Sequence, residues 1–243
     1  MTRRALASLQ RMSPAMIATR DPEDEEPGGS APCFLHEMGP GGAPLDPRQA
    51  TDVARWRKAE RARLIELRCA VPAEERARHL AAIARTLDEL IPAQSSEIVS
   101  VYWPIRAEPD LRSWMRGASQ RGLSIALPVA VKLGQPLTFR EWRPGSVMAR
   151  GLWRIPYPAD GGEVCPTTVI APLVGFDSAC YRLGYGGGFF DRTLAVMARR
   201  PIVIGVGYPQ LRISTIFPQG HDVPMDWIVT GMEPAMRRAT AGS

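Results

Sequence analysis

Four glycines within five positions, Gly184 and Gly186 to Gly188, stand between Arg182 and Arg192 in the run RLGYGGGFFDR. Glycines let a backbone approach a ligand closely and turn successive N–H groups towards an anion. A helix is expected directly after them, adding its positive dipole end, and the two arginines add fixed charge. Phosphate binding is the chemistry such a loop serves; a mere connecting turn does not need four glycines between two arginines. Neither familiar phosphate loop fits. A dinucleotide fingerprint wants a third glycine where Phe189 stands and an acid some twenty residues on, yet no Asp or Glu lies between Ile202 and Phe217. A Walker loop wants Gly-Lys-Ser/Thr, and beyond Lys58 the sole lysine is Lys132.

Asp191 follows the glycines at the first turn of the expected helix. There it serves either as a helix N-terminal acid favoured by the dipole or as an oxygen ligand for Mg²⁺ carried on nucleotide phosphates. The sequence leaves both open. Asp222 in HDVPMD is a second candidate carboxylate. Its neighbour His221 has no partner histidine at ligand spacing and is expected to be structural.

These residues need elements to carry them. From Asp52 the chain runs seventeen residues without Gly or Pro, with Arg57, Arg61 and Arg68 on one helical face. Val71-Pro72 ends that helix, and Glu74 and Glu75 open the next, whose core stripe is Leu80, Ile83, Leu87 and Leu90 or Ile91. Strands are expected at 97–103, 123–131, 137–142, 167–176, 201–208 and 226–230, with helices near 110–122 and 190–199. The 167–176 run is almost wholly apolar, as in a strand covered on both faces. The expected fold is α/β: one three-layer domain from 51 to 243, a mainly parallel sheet with helices on both faces, open and Rossmann-like. Ligands in such sheets bind beyond the carboxyl ends of strands, which directs the search to the loops after 103, 176 and 208.

Residues 1–50 hold seven prolines and five glycines with little periodicity and read as a flexible or surface-draped extension. Arg3, Arg4, Arg11 and Arg20 with small residues between them have a transit-segment look, but the acidic run from Asp21 to Glu26 follows at once. No apolar signal core or membrane-length apolar run is present, and Cys33, Cys69, Cys165 and Cys180 form no CxxC pair. Reduced thiols in a cytoplasmic protein are expected.

The 243 residues carry a formal charge of +5, and all but two of the 30 positive side chains are Arg. A pI near 9.3 makes nucleic acid the first partner to weigh. Nucleic acid would want a basic stripe with interleaved aromatics, and only the 55–68 helix comes near one. The arginines suit smaller anions, carboxylates and phosphates.

With these residues in view, APLVGFDSACYRLGYGGGFFDR (171–192), HDVPMD (221–226), the pair Arg57 and Arg61, and YWPIRAEPDL (102–111) resemble the 5-formyltetrahydrofolate cyclo-ligases. The resemblance covers about 52 to 232. It implies an ATP- and Mg²⁺-dependent closure of 5-formyltetrahydrofolate to 5,10-methenyltetrahydrofolate, with ADP and phosphate released. It further implies that Arg57 and Arg61 contact ATP. Arg182, Leu183, Gly184, Tyr185, Gly186, Gly187, Gly188, Phe189 and Phe190 would wrap the triphosphate, with Gly186, Gly188, Phe189 and Phe190 also touching the folate. Arg182 and Asp191 would be the catalytic pair, and Asp191 and Asp222 would hold Mg²⁺. Glu108 would bind the folate ring, with Trp103 and Trp153 beside it, although either tryptophan taken alone suits core packing.

Three positions depart from the family. Arg57 stands where Lys is frequent. Gly187 stands where some members have Lys, so that a phosphate contact would fall to Arg140 or Arg143. Ile155 stands where many have Glu. The expected partner is a reduced folate, polyglutamylated or not, with no nucleic acid or membrane, on a monomer or homodimer. The rival function is a non-catalytic folate- or nucleotide-binding regulator on the same fold.

Overall fold

A computed structural model describes residues 47–92, 97–231 and 234–239. The expected extension therefore lies outside the described residues, save that Pro47 to Ala50 already belong to the first helix. In chain order the elements are α1 (Pro47–Ala70), α2 (Ala73–Leu90), β1 (Ile98–Ser100), α3 (Arg112–Gln120), β2 (Ser124–Val129), β3 (Thr138–Trp142), β4 (Met148–Arg150) and β5 (Pro156–Pro158). They continue with β6 (Thr168–Pro172), β7 (Gly175–Phe176), β8 (Arg182–Leu183), α4 (Phe189–Val196), β9 (Ile202–Val206), β10 (Trp227–Val229) and β11 (Met236–Arg237). Pro72, at φ −60°, caps α2 at the break from α1, and Glu74 and Glu75 fall in its first turn, where the dipole favours them.

Seven strands form one sheet in the order β11-β10-β9-β6-β1-β2-β3. The five from β10 to β2 pair in parallel, and β11 and β3 close the two edges antiparallel. Alternation along the strands sends side chains to opposite faces. Ala126, Val169, Ala171 and Val203 pack on one face with Leu64 of α1 and Leu194 of α4. Ile125, Leu127, Ile170 and Ile204 pack on the other with Ile83 and Leu87 of α2 and Trp114 and Met115 of α3. The three layers and the mainly parallel sheet are those the sequence led us to expect.

One strand is shorter than its apolar run. The chain leaves the sheet after Pro172, and Gly175–Phe176 pairs instead with Arg182–Leu183 as a hairpin. The cause is Asp177, buried at 2% exposure. Its Oδ1 accepts from the N–H groups of Ala179 and Tyr181 and its Oδ2 from that of Ile216. That fixes the turn and ties it to the 213–217 segment. Two pieces carried no legible pattern, the β4–β5 hairpin with its two prolines and the edge strand β11. No helix among the described residues is long and apolar enough to cross a membrane.

Candidate active site

The sheet order places β1 beside both β2 and β6, so the chain reverses its direction of travel across the sheet between β1 and β6. Open α/β sheets bind ligands at such a reversal, outside the carboxyl ends of the strands. A cavity of about 560 Å³ lies there. Its walls come from Tyr102 and Trp103 after β1, the end of β2, Pro172 at the end of β6, and the Gly-rich loop between β8 and α4. Most of the residues singled out as site candidates from sequence line it: Arg57, Arg61, Trp103, Glu108, Trp153, Arg182 through Phe190, Asp191 and Asp222, but not Arg140, Arg143 or Arg192.

The loop is shaped by its glycines. Gly186 has φ +94° and Gly188 φ +61°, the latter being the left-handed residue that caps α4. Arg61 reaches from α1 to the Gly184 carbonyl through Nε at 2.8 Å. Burial and the neighbouring Arg57 pull its pKa down from the ordinary guanidinium range. Arg192 donates to the carbonyls of Gly187 and Gly188. The second flanking arginine thus braces the loop from outside the cavity, whereas the sequence suggested charge offered to the ligand.

Two ion pairs stand at the end of the cavity beside the Gly-rich loop. Arg57, nearly buried, donates to the carbonyls of Ile216 and Phe217 and pairs with Asp222 at 2.5 Å. Arg182 pairs with Asp191 at 2.9 Å and lies 5.4 Å from the Phe190 ring centroid. Burial lowers its pKa, opposed by Asp191 and Asp222. The two carboxylates differ in what they have left to give. Asp222 accepts on both oxygens, from Arg57 and from the Gln219 N–H. On Asp191 the Arg182 pair and the Val223 N–H both fall on Oδ1. Mg²⁺ is held through one or two carboxylates plus phosphate oxygens and waters, so this donor set fits it with Asp191 as the more available ligand. No cluster of three or more His, Cys, Asp or Glu side chains arranged for a metal exists among the described residues.

At the other end Glu108 is buried at 5% exposure. Its Oε2 accepts from the Ile105 N–H at 2.8 Å and its Oε1 from the Tyr185 hydroxyl at 2.7 Å. Burial pushes the Glu108 carboxyl up, and these donors together with Arg68 and Arg106 pull it back. Arg106 and Ala107, both at positive φ, turn the chain so that Glu108 faces inward. Trp153 is 61% exposed and meets Phe189 edge to face at 5.4 Å. It is a cavity wall, not core. Trp103 is half-buried against the α2–α3 side of the core, 5.4 Å beneath Arg112.

Several expectations change. Arg140 binds the carbonyls of Pro158 and Ala159, and Arg143 pairs with Glu141 at the surface, so neither replaces a phosphate contact. The extra cavity arginine is Arg106. A Cβ on Gly187 would stand 2.8 Å from the Phe189 ring, so the glycine lets Phe189 fold over the loop. Ile155 supplies apolar wall to the cavity. His221 is exposed at the rim of the cavity, 3.8 Å from Asp222. Cys69, Cys165 and Cys180 are free thiols. Arg68, given no role from sequence, holds Tyr185. Its signal was its place on the α1 face with Arg57 and Arg61.

Fold and cleft together define a doubly wound α/β protein whose site opens at the topological reversal of its sheet. Residues 53–231 match the 5-formyltetrahydrofolate cyclo-ligase family, and the chain belongs to that family of enzymes. It is 31% identical over 144 residues to a 5-formyltetrahydrofolate cyclo-ligase of Mycolicibacterium smegmatis, covering 56% of this chain and 74% of the relative. To that of Escherichia coli K12 it is 27% identical over 146 residues, covering 57% and 80%. Its fold is similar to the solved 5,10-methenyltetrahydrofolate synthetase of Aquifex aeolicus, with TM-score 0.66 and 25% identity over 77% of this chain and 95% of that one. The Mycoplasma pneumoniae synthetase, at 20% identity and TM-score 0.59, shares the fold over 71% of this chain and 97% of that one.

Proposed function

We propose that the protein converts 5-formyltetrahydrofolate to 5,10-methenyltetrahydrofolate at the expense of ATP, with Mg²⁺, releasing ADP and phosphate. The observation that carries this reading is the meeting, in one cavity, of a Gly-rich loop, three arginines and two aspartates at one end with Glu108 and aromatic walls at the other. When bound, Mg·ATP would supply the γ-phosphoryl group: its bond to ADP would break as the formyl oxygen takes it up, N10 would close on the formyl carbon, and the N10 proton would leave with the phosphate.

The chain's own share is positioning and charge neutralisation. Arg57, Arg61 and Arg182, with the loop N–H groups of 184–190, hold the triphosphate, and Asp191 and Asp222 hold Mg²⁺. Arg182 lies beside Asp191, where charge on the moving phosphoryl group is greatest. Glu108 accepts from N–H donors of the pterin, while Trp103, Trp153 and Phe189 flank its rings and exclude water. The proton balance needs no separate base from the protein. We infer further that the substrate can carry a polyglutamate tail, that the protein acts in the cytoplasm as a monomer or homodimer, and that 51–243 is the functional domain.

Mixing the protein with 5-formyltetrahydrofolate, ATP and Mg²⁺ and following methenyl absorbance together with ADP is the direct test. Both products in equal amounts are expected. ATP bound without turnover would instead make the chain a regulator on the same fold.

A further inference from the structure

Arg68 is fully buried in the interior of α1's ligand face. Its Nε donates to the Arg106 carbonyl at 2.9 Å, and its Nη1 donates to the Leu173 carbonyl at 3.1 Å. Its Nη2 donates to the Tyr185 hydroxyl at 2.6 Å, and that hydroxyl donates to Glu108 at 2.7 Å. The guanidinium itself stands 3.7 Å from Glu108 Oε1. One side chain thus clamps three separate pieces of the site. They are the segment just past β6, the 104–108 turn with its two left-handed residues, and the Gly-rich loop.

We propose that Arg68 is a positioning residue for the folate half of the site, holding the Tyr185 hydroxyl on Glu108 so that a carboxylate meets the folate in one fixed orientation. The assignment rests on the cyclo-ligase reading. A purely architectural plug would be served better by a hydrocarbon, because burying a guanidinium carries a large desolvation cost. The charge has a use here because a buried carboxylate lines the cavity beside it. Around Glu108 stand Arg68 from α1, Tyr185 from the Gly-rich loop, Arg106 and Asp110 from its own loop, Tyr102 beyond β1 and Tyr208 beyond β9. Of these the two guanidiniums and the Tyr185 hydroxyl favour its ionised form, against burial.

The test compares Arg68→Met, Arg68→Lys and Tyr185→Phe with the wild type. Binding of 5-formyltetrahydrofolate and of Mg·ATP is measured separately by calorimetry across the acid to neutral range, with thermal unfolding alongside. Arg68→Met is expected to weaken folate binding about 10- to 100-fold, the range for a lost charged hydrogen bond. Its acid limb should also move to higher pH, while ATP affinity changes far less. Tyr185→Phe should move the limb the same way by less. Arg68→Lys keeps the charge and so returns the limb towards the wild-type position. Its folate affinity should stay reduced, because one ammonium cannot span three partners. If Arg68→Met does not fold, the other two variants decide.

An acid limb unchanged in the folded variants, or equal losses for folate and ATP, would overturn the assignment while leaving the cyclo-ligase reading standing. A wild type that binds no 5-formyltetrahydrofolate would overturn that reading, and the assignment with it.

Discussion

Asp191 shows how one side chain carries two duties. It neutralises the buried Arg182 and accepts from the Val223 N–H, both through Oδ1, so that Oδ2 is the oxygen it has left to offer a ligand. Asp191→Asn keeps the shape and the Val223 bond but not the charge. We expect the Mg²⁺ requirement to rise about 10- to 100-fold and the fold to lose about 1–3 kcal/mol, because Arg182 is left buried without its counter-ion. Turnover at limiting Mg²⁺ and denaturant unfolding check the two halves; normal turnover there would refute the metal role. At this scale the sequence was most informative where chemistry is dense along the chain, at 182–191. It was silent about the work of Arg68 and Arg106. Arg68's partners lie 38 to 117 residues away, and only folding brings them within reach.

Elements explain why the dense stretch works. The β8–α4 loop is held open by two residues at positive φ and braced from either side, by Arg61 at Gly184 and by Arg192 at Gly187 and Gly188. Gly188→Ala puts a Cβ on a left-handed helix cap, at a cost of about 1–2 kcal/mol. The added carbon would stand 3.5 Å from the Arg192 guanidinium, an ordinary contact, so the loss should be one of backbone strain. Lower stability with weakened ATP binding is expected from calorimetry on the variant; unchanged unfolding would mean the cap is not under that constraint. Helices and buried strands were legible because their periodicities are long. The strand at 167–176 was read too long, since apolarity does not report that Asp177 draws two N–H groups into a turn and a third from Ile216. The β4–β5 hairpin was missed because three-residue strands with two prolines show no alternation.

At the scale of the whole molecule, the buried phenols at and near the site tie stability to alkaline pH. A free phenol titrates near 10. Burial pushes Tyr208 up to about 12 and Tyr102 well above its usual value. The folded chain therefore keeps protons that the unfolded chain releases. The stabilisation is complete below about pH 10 and falls as pH climbs towards the folded values, by up to about 1.4 kcal/mol per pH unit for each phenol. Urea midpoints should drop steeply above about pH 10, and Tyr208→Phe should flatten the drop. Midpoints level across that range would contradict the argument. The arrangement of layers was legible as a whole, because alternating helical and apolar segments leave few alternatives.

The excess of arginine over lysine acquires a meaning once Arg57–Asp222 and Arg182–Asp191 are seen as pairs already made. Each of the two aspartates in the cleft already has its arginine. A bare polyphosphate would have to displace two carboxylates from their guanidiniums and then sit against them. A polyphosphate arriving with a divalent cation meets no such conflict, since its oxygens take over the arginines while the cation takes over the aspartates. Every partnership given up is replaced by another of the same sign. On the proposed reading the cleft would work by an exchange of partners, and would take up the metal-loaded nucleotide in preference to the free one before any bond is broken.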